Sequence, residues 1–323
     1  MKALCVFSGG LDSMLASQII RAQGVDVLGL FFETPFFSSH RAEMSAKAVH
    51  LPLKVVDLTA AHLEIVKHPP HGYGGNMNPC IDCHALMLRE AGQMLGREGA
   101  NFIITGEVLG QRPMSQNLKA LSMVATQSGF PRLILRPLSA KLLQTTIPEE
   151  KGWVQRELLL NFSGRSRKPQ MELARKLGIT DYPSPAGGCL LTDPIFSKRL
   201  KDLFASESQF ERREIDLLKV GRHFRLGPHA RLVVGRNKSE NDVVASLSKP
   251  EDLLLVVQSV PGPTALALGD LTPAIELLAA GIAASYSDAK EGEAAEIRLV
   301  KKGGVKMVSV EKVSKSGFQG MMI

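Results

Sequence analysis

Short, nearly continuous apolar runs alternate with segments of helical periodicity over the first third of the chain. Residues 3–7, 25–32, 53–57 and 102–105 are dominated by Ala, Val, Leu, Ile and Phe and are flanked by Gly, Pro or polar residues. Runs of that length and composition predict strands buried in a sheet. Residues 13–22, 39–50 and 83–96 space their apolar positions three and four apart and predict helices, the first stopped by Gly24. The resulting β-α-β-α-β order predicts an α/β fold with a doubly wound parallel sheet and a ligand at the carboxyl ends of its strands. Residues 68–79, rich in Pro and Gly, predict a loop. The last third reads differently. A strand with a polar turn is expected over 231–242, an apolar strand over 253–257, a helix over 273–287 that is apolar on nearly every side, and a basic strand around Lys301 and Lys302. These predict a second, smaller α+β domain over 204–323, after a first domain over 1–203.

The first strand breaks at Ser8 into Gly9 and Gly10, and a helical pattern starts at Leu11. Glycines there let backbone amides approach an anion closely. Together with a helix N-terminus and the hydroxyls of Ser8 and Ser13 they form a site for a polyphosphate. The usual nucleotide loops, Gly-x-x-x-x-Gly-Lys-Ser/Thr and Gly-x-Gly-x-x-Gly, are both missing from this stretch. Ser8, Gly9, Gly10 and Ser13 are the expected pyrophosphate contacts. Asp12 is placed to hold Mg²⁺ against the phosphates, a role compatible with capping the helix.

Composition narrows this picture only modestly. At 323 residues, 44% hydrophobic and 22% charged, the chain is expected to fold as two soluble domains. No apolar run approaches the ~20 residues that cross a bilayer, and no signal-peptide pattern opens the chain, so the expectation is a cytoplasmic protein without a membrane partner. Charge is unevenly spread. Residues 132–201 hold 13 Lys and Arg against 6 Asp and Glu, an excess equal to the whole formal charge of +7. Within that segment Arg165, Arg167 and Lys168 form a basic cluster suited to a polyanion such as RNA.

Ser-Gly-Gly-x-Asp-Ser, residues 8–13, resembles the signature of the PP-loop ATP pyrophosphatases, which cleave ATP to AMP and pyrophosphate and adenylate an oxygen of their substrate. Thr105-Gly106-Glu107-x-Leu109-Gly110-Gln111, then Ser115-Gln116 and Ile134-Leu135-Arg136-Pro137-Leu138 with Lys141, is similar to the PP-loop domain of tRNA 4-thiouridine synthetases and of tRNA thiolases generally. That resemblance implies ATP contacts at Gly106, Gln111 and Lys141, and maps the family's catalytic cysteine onto Cys189, which follows two glycines. It also implies tRNA as a partner, with a sulfur donor, either sulfide or a cysteine desulfurase, and allows a homodimer. The THUMP and rhodanese modules of those synthetases are not expected here. The order Gly235-Arg236-Asn237, Pro261-Gly262, then Ala283-Ala284-Ser285-Tyr286-Ser287 and a basic strand resembles the NFACT RNA-binding domain. It departs from that family at Leu254, Val256 and Thr264, where stacking residues are expected. A docking role for this domain stays open.

Four cysteines are too few for a disulfide framework in a chain of this length, so Cys80-x-x-Cys83 points to metal or redox chemistry. Cys5, inside the first strand, is expected only to fill space. Cys80 and Cys83 can clasp one metal, and Cys189 would add a third thiolate. Three thiolates suit a 4Fe-4S cluster with one open iron. A persulfide relay through Cys189 and a zinc clip are the alternatives. The resulting expectation is ATP-dependent tRNA thiolation, with a uridine carbonyl adenylated and its oxygen replaced by sulfur. The other reading is a PP-loop enzyme adenylating a small molecule, with the last domain used for assembly.

Overall fold

In the computed structural model the early apolar runs become β1 (Lys2–Val6), β2 (Asp26–Glu33), β3 (Leu53–Asp57) and β4 (Phe102–Thr105), joined by a short β5 (Ile134–Leu135). All neighbours pair in parallel, in the order β3-β2-β1-β4-β5. Side-chain alternation along β1 sends Ala3 and Cys5 to one core and Leu4 to another. Helices α1 (Leu11–Arg21), α2 (His40–Ala48), α3 (Thr59–Lys67), α4 (Cys80–Met94), α5 (Leu118–Ser128), α6 (Ile147–Glu150) and α7 (Lys168–Lys176) complete this unit. Phe7, Leu11, Met14, Leu15, Phe102 and Ile104 fill the core on one face of the sheet. Leu4, Leu30, Leu86, Leu88, Ile103 and Val124 fill the other. Each such side chain, taken fully out of water, contributes about 1.5–3 kcal/mol. Strand order reverses at β1, with β2 and β3 on one side and β4 and β5 on the other. The crevice at the carboxyl ends of β1 and β4 is therefore the switch point where such sheets bind ligands.

The chain divides into Met1–Thr192 and Asp193–Ile323, ahead of the 203–204 boundary read from the sequence. The reason lies in α8 (Pro194–Ser206). Its Arg199 donates to the carbonyls of Leu218 at 2.8 Å and Gly221 at 3.0 Å, and its Asp202 pairs with Arg225. The second unit continues with α9 (Arg212–Leu218), β6 (Arg222–Gly227), β7 (Ala230–Val234), α10 (Lys238–Ser246), β8 (Leu253–Val257), β9 (Thr264–Gly269), α11 (Pro273–Ser285), β10 (Ala294–Lys301) and β11 (Gly304–Glu311). Its antiparallel sheet has the order β11-β10-β8-β9-β7-β6. The small residues Ala279, Ala280 and Ala283 let α11 lie close against Leu255, Ala265 and Ile297. On the opposite face Val244 of α10 packs with Val233, Leu266 and Leu268. The polar turn expected before residue 242 is the start of a helix instead. Asn237 caps it, its Oδ1 accepting from the Glu240 amide at 3.0 Å, so a run of polar residues begins α10.

The structure describes residues 1–184, 189–207 and 210–323. The Gly-Gly approach to Cys189 expected from the sequence lies outside them. No helix among the described residues is long and apolar enough to cross a membrane.

Candidate active site at the ends of strands β1 and β4

β1 delivers Ser8, Gly9 and Gly10 to the mouth of the crevice, and α1 starts at once. Gly9 has φ +75°, and a Cβ there would meet the Cα of Ala42 at 2.7 Å, so only glycine lets the loop pass so close to α2. Ser45 on α2 fastens the turn by donating to the Gly9 carbonyl at 2.8 Å. Gly10 is the extended N-cap of α1, and its amide donates to Ser8 Oγ at 3.3 Å. Ser8 and Ser13 hydroxyls lie 3.4 Å apart, with Ser13 Oγ also donating to the Gly10 carbonyl at 2.8 Å. The first-turn amides of a helix lack intrahelical acceptors and carry the positive end of its dipole. Hydroxyls and glycine amides thus gather at one point, as an anion requires.

β4 brings the second half of the site. A Cβ on Gly106 would meet the Ser13 amide nitrogen at 2.4 Å, so the end of β4 rests directly on the first turn of α1. Glu107, buried behind it, accepts from Arg136 Nε at 2.9 Å and lies 3.0 Å from His84 Nδ1. Burial pushes its carboxyl up, but Arg136 and His84 outweigh this and hold it down at about 2. This carboxylate ties α4 to the Gly106 turn. Gln111 then reaches across to donate from Nε2 to Asp12 Oδ2 at 2.7 Å, and Gln170 of α7 donates to Gln111 Oε1 at 2.9 Å. Burial raises the Asp12 carboxyl, with Gln111, Arg167 and Arg112 pulling the other way. Asp12 Oδ1, Gln116 Oε1, Arg167 Nε and Gln170 Oε1 are buried atoms with no hydrogen-bond partner among the described residues. Buried polar atoms are nearly always satisfied, so the unpaired Asp12 oxygen fits a cation such as Mg²⁺.

The cysteines meet in the same unit. α4 begins at Cys80, three residues earlier than its periodicity predicts, so Cys80 and Cys83 lie one turn apart on a single helix. Cys83 is buried and lies 2.9 Å from His62 Nε2. Phe36 and Phe37 pack their rings against His62, and burial pulls that imidazole down to about 4. Cys189 opens a short turn, Leu190–Thr192, and its Sγ accepts from the Leu191 amide at 3.3 Å. The 68–79 loop holds this turn in place. Asn76 Nδ2 donates to the Thr192 carbonyl at 2.7 Å and the Met77 amide to the Leu191 carbonyl at 3.1 Å. Burial raises the Cys83 thiol, and the neighbouring Cys189 and Cys80 raise it further. Burial likewise pushes Cys189 up to about 12, with Cys80 adding to it. The three sulfurs therefore share one neighbourhood, although among the described residues no three His, Cys, Asp or Glu side chains converge closely enough to hold a metal ion. Cys5 is buried apart, its thiol raised by burial, with Sγ 4.0 Å from the Ser13 carbonyl.

Not every predicted residue gathers here. Lys141, expected at the nucleotide, donates from Nζ to the Glu157 carbonyl at 2.8 Å. The basic cluster splits, since Arg165 and Lys168 are exposed while the Nε of Arg167 is buried and its charge acts on Asp12. Arg112, which the sequence reading passed over, acts on both Asp12 and Cys80. Its place directly after Gln111 was the available signal.

A phosphate-binding turn at the switch point of a 3-2-1-4-5 parallel sheet, without a P-loop lysine, defines an α/β domain of the PP-loop type. Residues 1–142 match the family model described as Thiamine biosynthesis protein (ThiI), and residues 221–320 match that of the NFACT protein RNA binding domain. The two matches follow one another along the chain, the first within Met1–Thr192 and the second within Asp193–Ile323. It is 30% identical over 146 residues to a probable tRNA sulfurtransferase of Thermoanaerobacter sp. (strain X514), across 42% of this chain and 36% of that protein. A probable tRNA sulfurtransferase of Geobacillus kaustophilus (strain HTA426) is also 30% identical, across 42% of this chain and 34% of its own. The match thus spans about a third of the length of these relatives. Among solved structures, a predicted subunit of tRNA methyltransferase from Methanocaldococcus jannaschii aligns over 42% of this chain and 69% of its own with 20% identity and a TM-score of 0.32. The C-terminal part of a fibronectin/fibrinogen-binding protein from Streptococcus suis aligns over 48% of this chain and 77% of its own, with 16% identity and a TM-score of 0.29.

Proposed function

We propose that this protein is an ATP-dependent tRNA thiolase that adenylates a uridine carbonyl oxygen and replaces it with sulfur. The supporting observation is that a phosphate nest and three cysteines lie in one unit, with the Arg112 charge acting on both Asp12 and Cys80. A uracil carbonyl is a poor electrophile because oxide is a poor leaving group. In the first step the carbonyl oxygen bonds to the α-phosphorus of ATP, the bond to the β-phosphate oxygen breaks, and pyrophosphate leaves. Ser8, Gly9, Gly10 and Ser13 hold the departing pyrophosphate. Asp12 is held by Gln111 to take the metal, and Arg112 and Arg167 supply positive charge where the departing pyrophosphate gains negative charge. In the second step sulfur bonds to the ring carbon and the carbon–oxygen bond breaks, releasing AMP.

Cys80, Cys83 and Cys189 are the residues that would hold a 4Fe-4S cluster, whose chemistry when bound is the delivery of inorganic sulfide. Three thiols kept protonated by burial are soft donors that become ligands once a metal replaces their protons, although among the described residues they do not stand close enough together to hold one. One observation favours a second reading. The Leu191 amide on Cys189 Sγ would also stabilise a persulfide there. Small-molecule adenylation has less support, since the second unit matches an RNA-binding domain.

Metal analysis and nucleotide chromatography of the anaerobically purified protein test this account. AMP and pyrophosphate should be the products, and ADP with phosphate would overturn it. Cys189→Ala should abolish thiolation while pyrophosphate formation from ATP and tRNA survives. Loss of stoichiometric iron in that variant supports the cluster, and iron that persists makes Cys189 the sulfur carrier.

A further inference from the structure

The second unit carries a cavity that the adenylation chemistry does not use. It has a volume of about 300 Å³ and is formed where β6, the β7–α10 connection, the β8–β9 turn, the end of α11 and the C-terminal turn come together. Its shape is set by close packing. A Cβ on Gly235 would meet Asn241 Oδ1 at 2.1 Å, and one on Gly262 would meet Val257 Cβ at 2.7 Å. Asn241 Oδ1 in turn accepts from the Thr264 amide at 3.1 Å, bracing the wall. Four cations, Arg222, Arg236, Lys238 and Lys315, line it against one carboxylate, Asp288. Arg236 is answered by Glu240, whose oxygens lie 2.9 Å from its Nε, which leaves the other three to set the sign of the cavity.

Tyr286 decides what kind of anion fits. The Arg222 guanidinium lies 4.6 Å from the centre of its ring and the Lys315 ammonium 5.2 Å. Behind it stands the fully buried Phe224, with ring centroids 5.9 Å apart. Cation–π contact holds both charged ends at the cavity without a carboxylate partner consuming their charge. A guanidinium lying on a tyrosine presents a planar, charged surface of the kind on which bases of single-stranded RNA stack, while neighbouring lysines take phosphate. A free phosphate would need the cations but not the ring, and an acidic peptide would gain little from a stacking plane.

We propose that this cavity is a nucleotide-binding subsite for single-stranded RNA, with Arg222 on Tyr286 stacking a base, Lys238 and Lys315 holding a backbone phosphate, and Asp288 accepting from a ribose hydroxyl or a base amine. The proposal deepens the reading of the second unit as RNA-binding and is independent of thiolation. It also moves the stacking surface away from Leu254, Val256 and Thr264, where aromatics are missing, to the end of α11.

The test is fluorescence anisotropy of a short labelled single-stranded RNA with the full chain, without ATP, so that failure of the chemistry cannot affect the result. Arg222→Gln with Lys315→Gln should weaken binding about tenfold and lower the salt slope by about 0.7, the share of the one phosphate contact at Lys315 on a single strand. Tyr286→Phe should bind as the natural protein does, and Tyr286→Leu should lose about as much as the double variant. Where Tyr286→Leu fails to fold, the double variant, which removes no core side chain, decides alone. Cytidine monophosphate should displace the RNA at lower concentration than inorganic phosphate. Unchanged affinity and salt slope in the double variant would overturn the proposal. So would equal competition by the two small anions, which would make this a phosphate site only, or displacement by a polyglutamate peptide at concentrations where the nucleotide is ineffective.

Discussion

The two units treat buried polar groups in opposite ways. Around Gln111 the parallel sheet leaves Asp12 Oδ1, Gln116 Oε1, Arg167 Nε and Gln170 Oε1 without partners. In the antiparallel unit Arg213 meets both Asp252 at 2.5 Å and Glu214 at 2.7 Å, and Arg225 pairs with Asp202. Of its two unpartnered atoms among the described residues, Arg199 Nε belongs to a guanidinium whose two terminal nitrogens both donate to carbonyls, and Arg231 Nε to one that pairs with Glu207. Unsatisfied groups cost about 1–3 kcal/mol each, so a cluster of them persists where a ligand completes it. The polar cluster around Gln111 thus has atoms free to meet a ligand, while Arg213 and Arg225 of the second unit are answered by carboxylates.

Five variants sharpen that contrast, beginning with the largest expected effect. Asp12→Ala should lower AMP formation by about 10²–10³-fold, the usual scale for losing one electrostatic contact to a transition state, with the melting temperature nearly unchanged because no core volume is removed. A melting temperature that falls with the activity would instead make Asp12 a structural cap. Gly106→Ala drives a Cβ into the first turn of α1 and should destabilise the protein by about 1–3 kcal/mol, read by urea denaturation. An equally stable variant would contradict the close approach of β4 to α1.

The basic cluster should divide by burial. Arg165→Gln with Lys168→Gln should flatten the salt dependence of tRNA binding by about two phosphate contacts and leave ATP cleavage alone, while Arg167→Gln should slow ATP cleavage. Identical behaviour of all three would return them to one solvated patch. The smallest effect concerns His223, which is fully buried with Nε2 2.9 Å from the Val220 carbonyl. Burial, helped by Arg199, pulls its imidazole down to about 3. A depressed histidine binds its proton more readily when unfolded, so its contribution is fully present above about pH 6.5 and is lost as pH falls toward 3. His223→Gln should remove that part of the acid sensitivity in thermal melts between pH 7 and 4. An unchanged pH profile would place the sensitivity elsewhere.

The layout of the first unit is readable in the sequence because its signals are local. A strand needs a run of apolar residues, and the turn at residues 8–13 needs glycines and hydroxyls in order. What was missed depends on chain approach. Arg112 lies in a polar stretch, and its place after Gln111 points toward Asp12 but not toward Cys80, which also comes within reach of its charge. Arg167 sits between Arg165 and Lys168 in a cluster that looks uniformly solvated until α7 folds onto α1. α10 was read as a turn because its first residues are polar, yet Asn237 followed three residues later by Glu240 is a helix start. Cys80 falls at a helix terminus, where periodicity has too few residues to register.

The account's central claim is that one site couples AMP formation to sulfur insertion. Its most direct test is mass spectrometry of nucleosides from unmodified tRNA incubated anaerobically with the full chain, ATP, Mg²⁺ and sulfide, with AMP quantified in the same reaction. The prediction is one thiolated uridine per AMP released, both lost in Asp12→Ala. AMP formed with no thiolated nucleoside, or thiolation that proceeds without ATP, would contradict it.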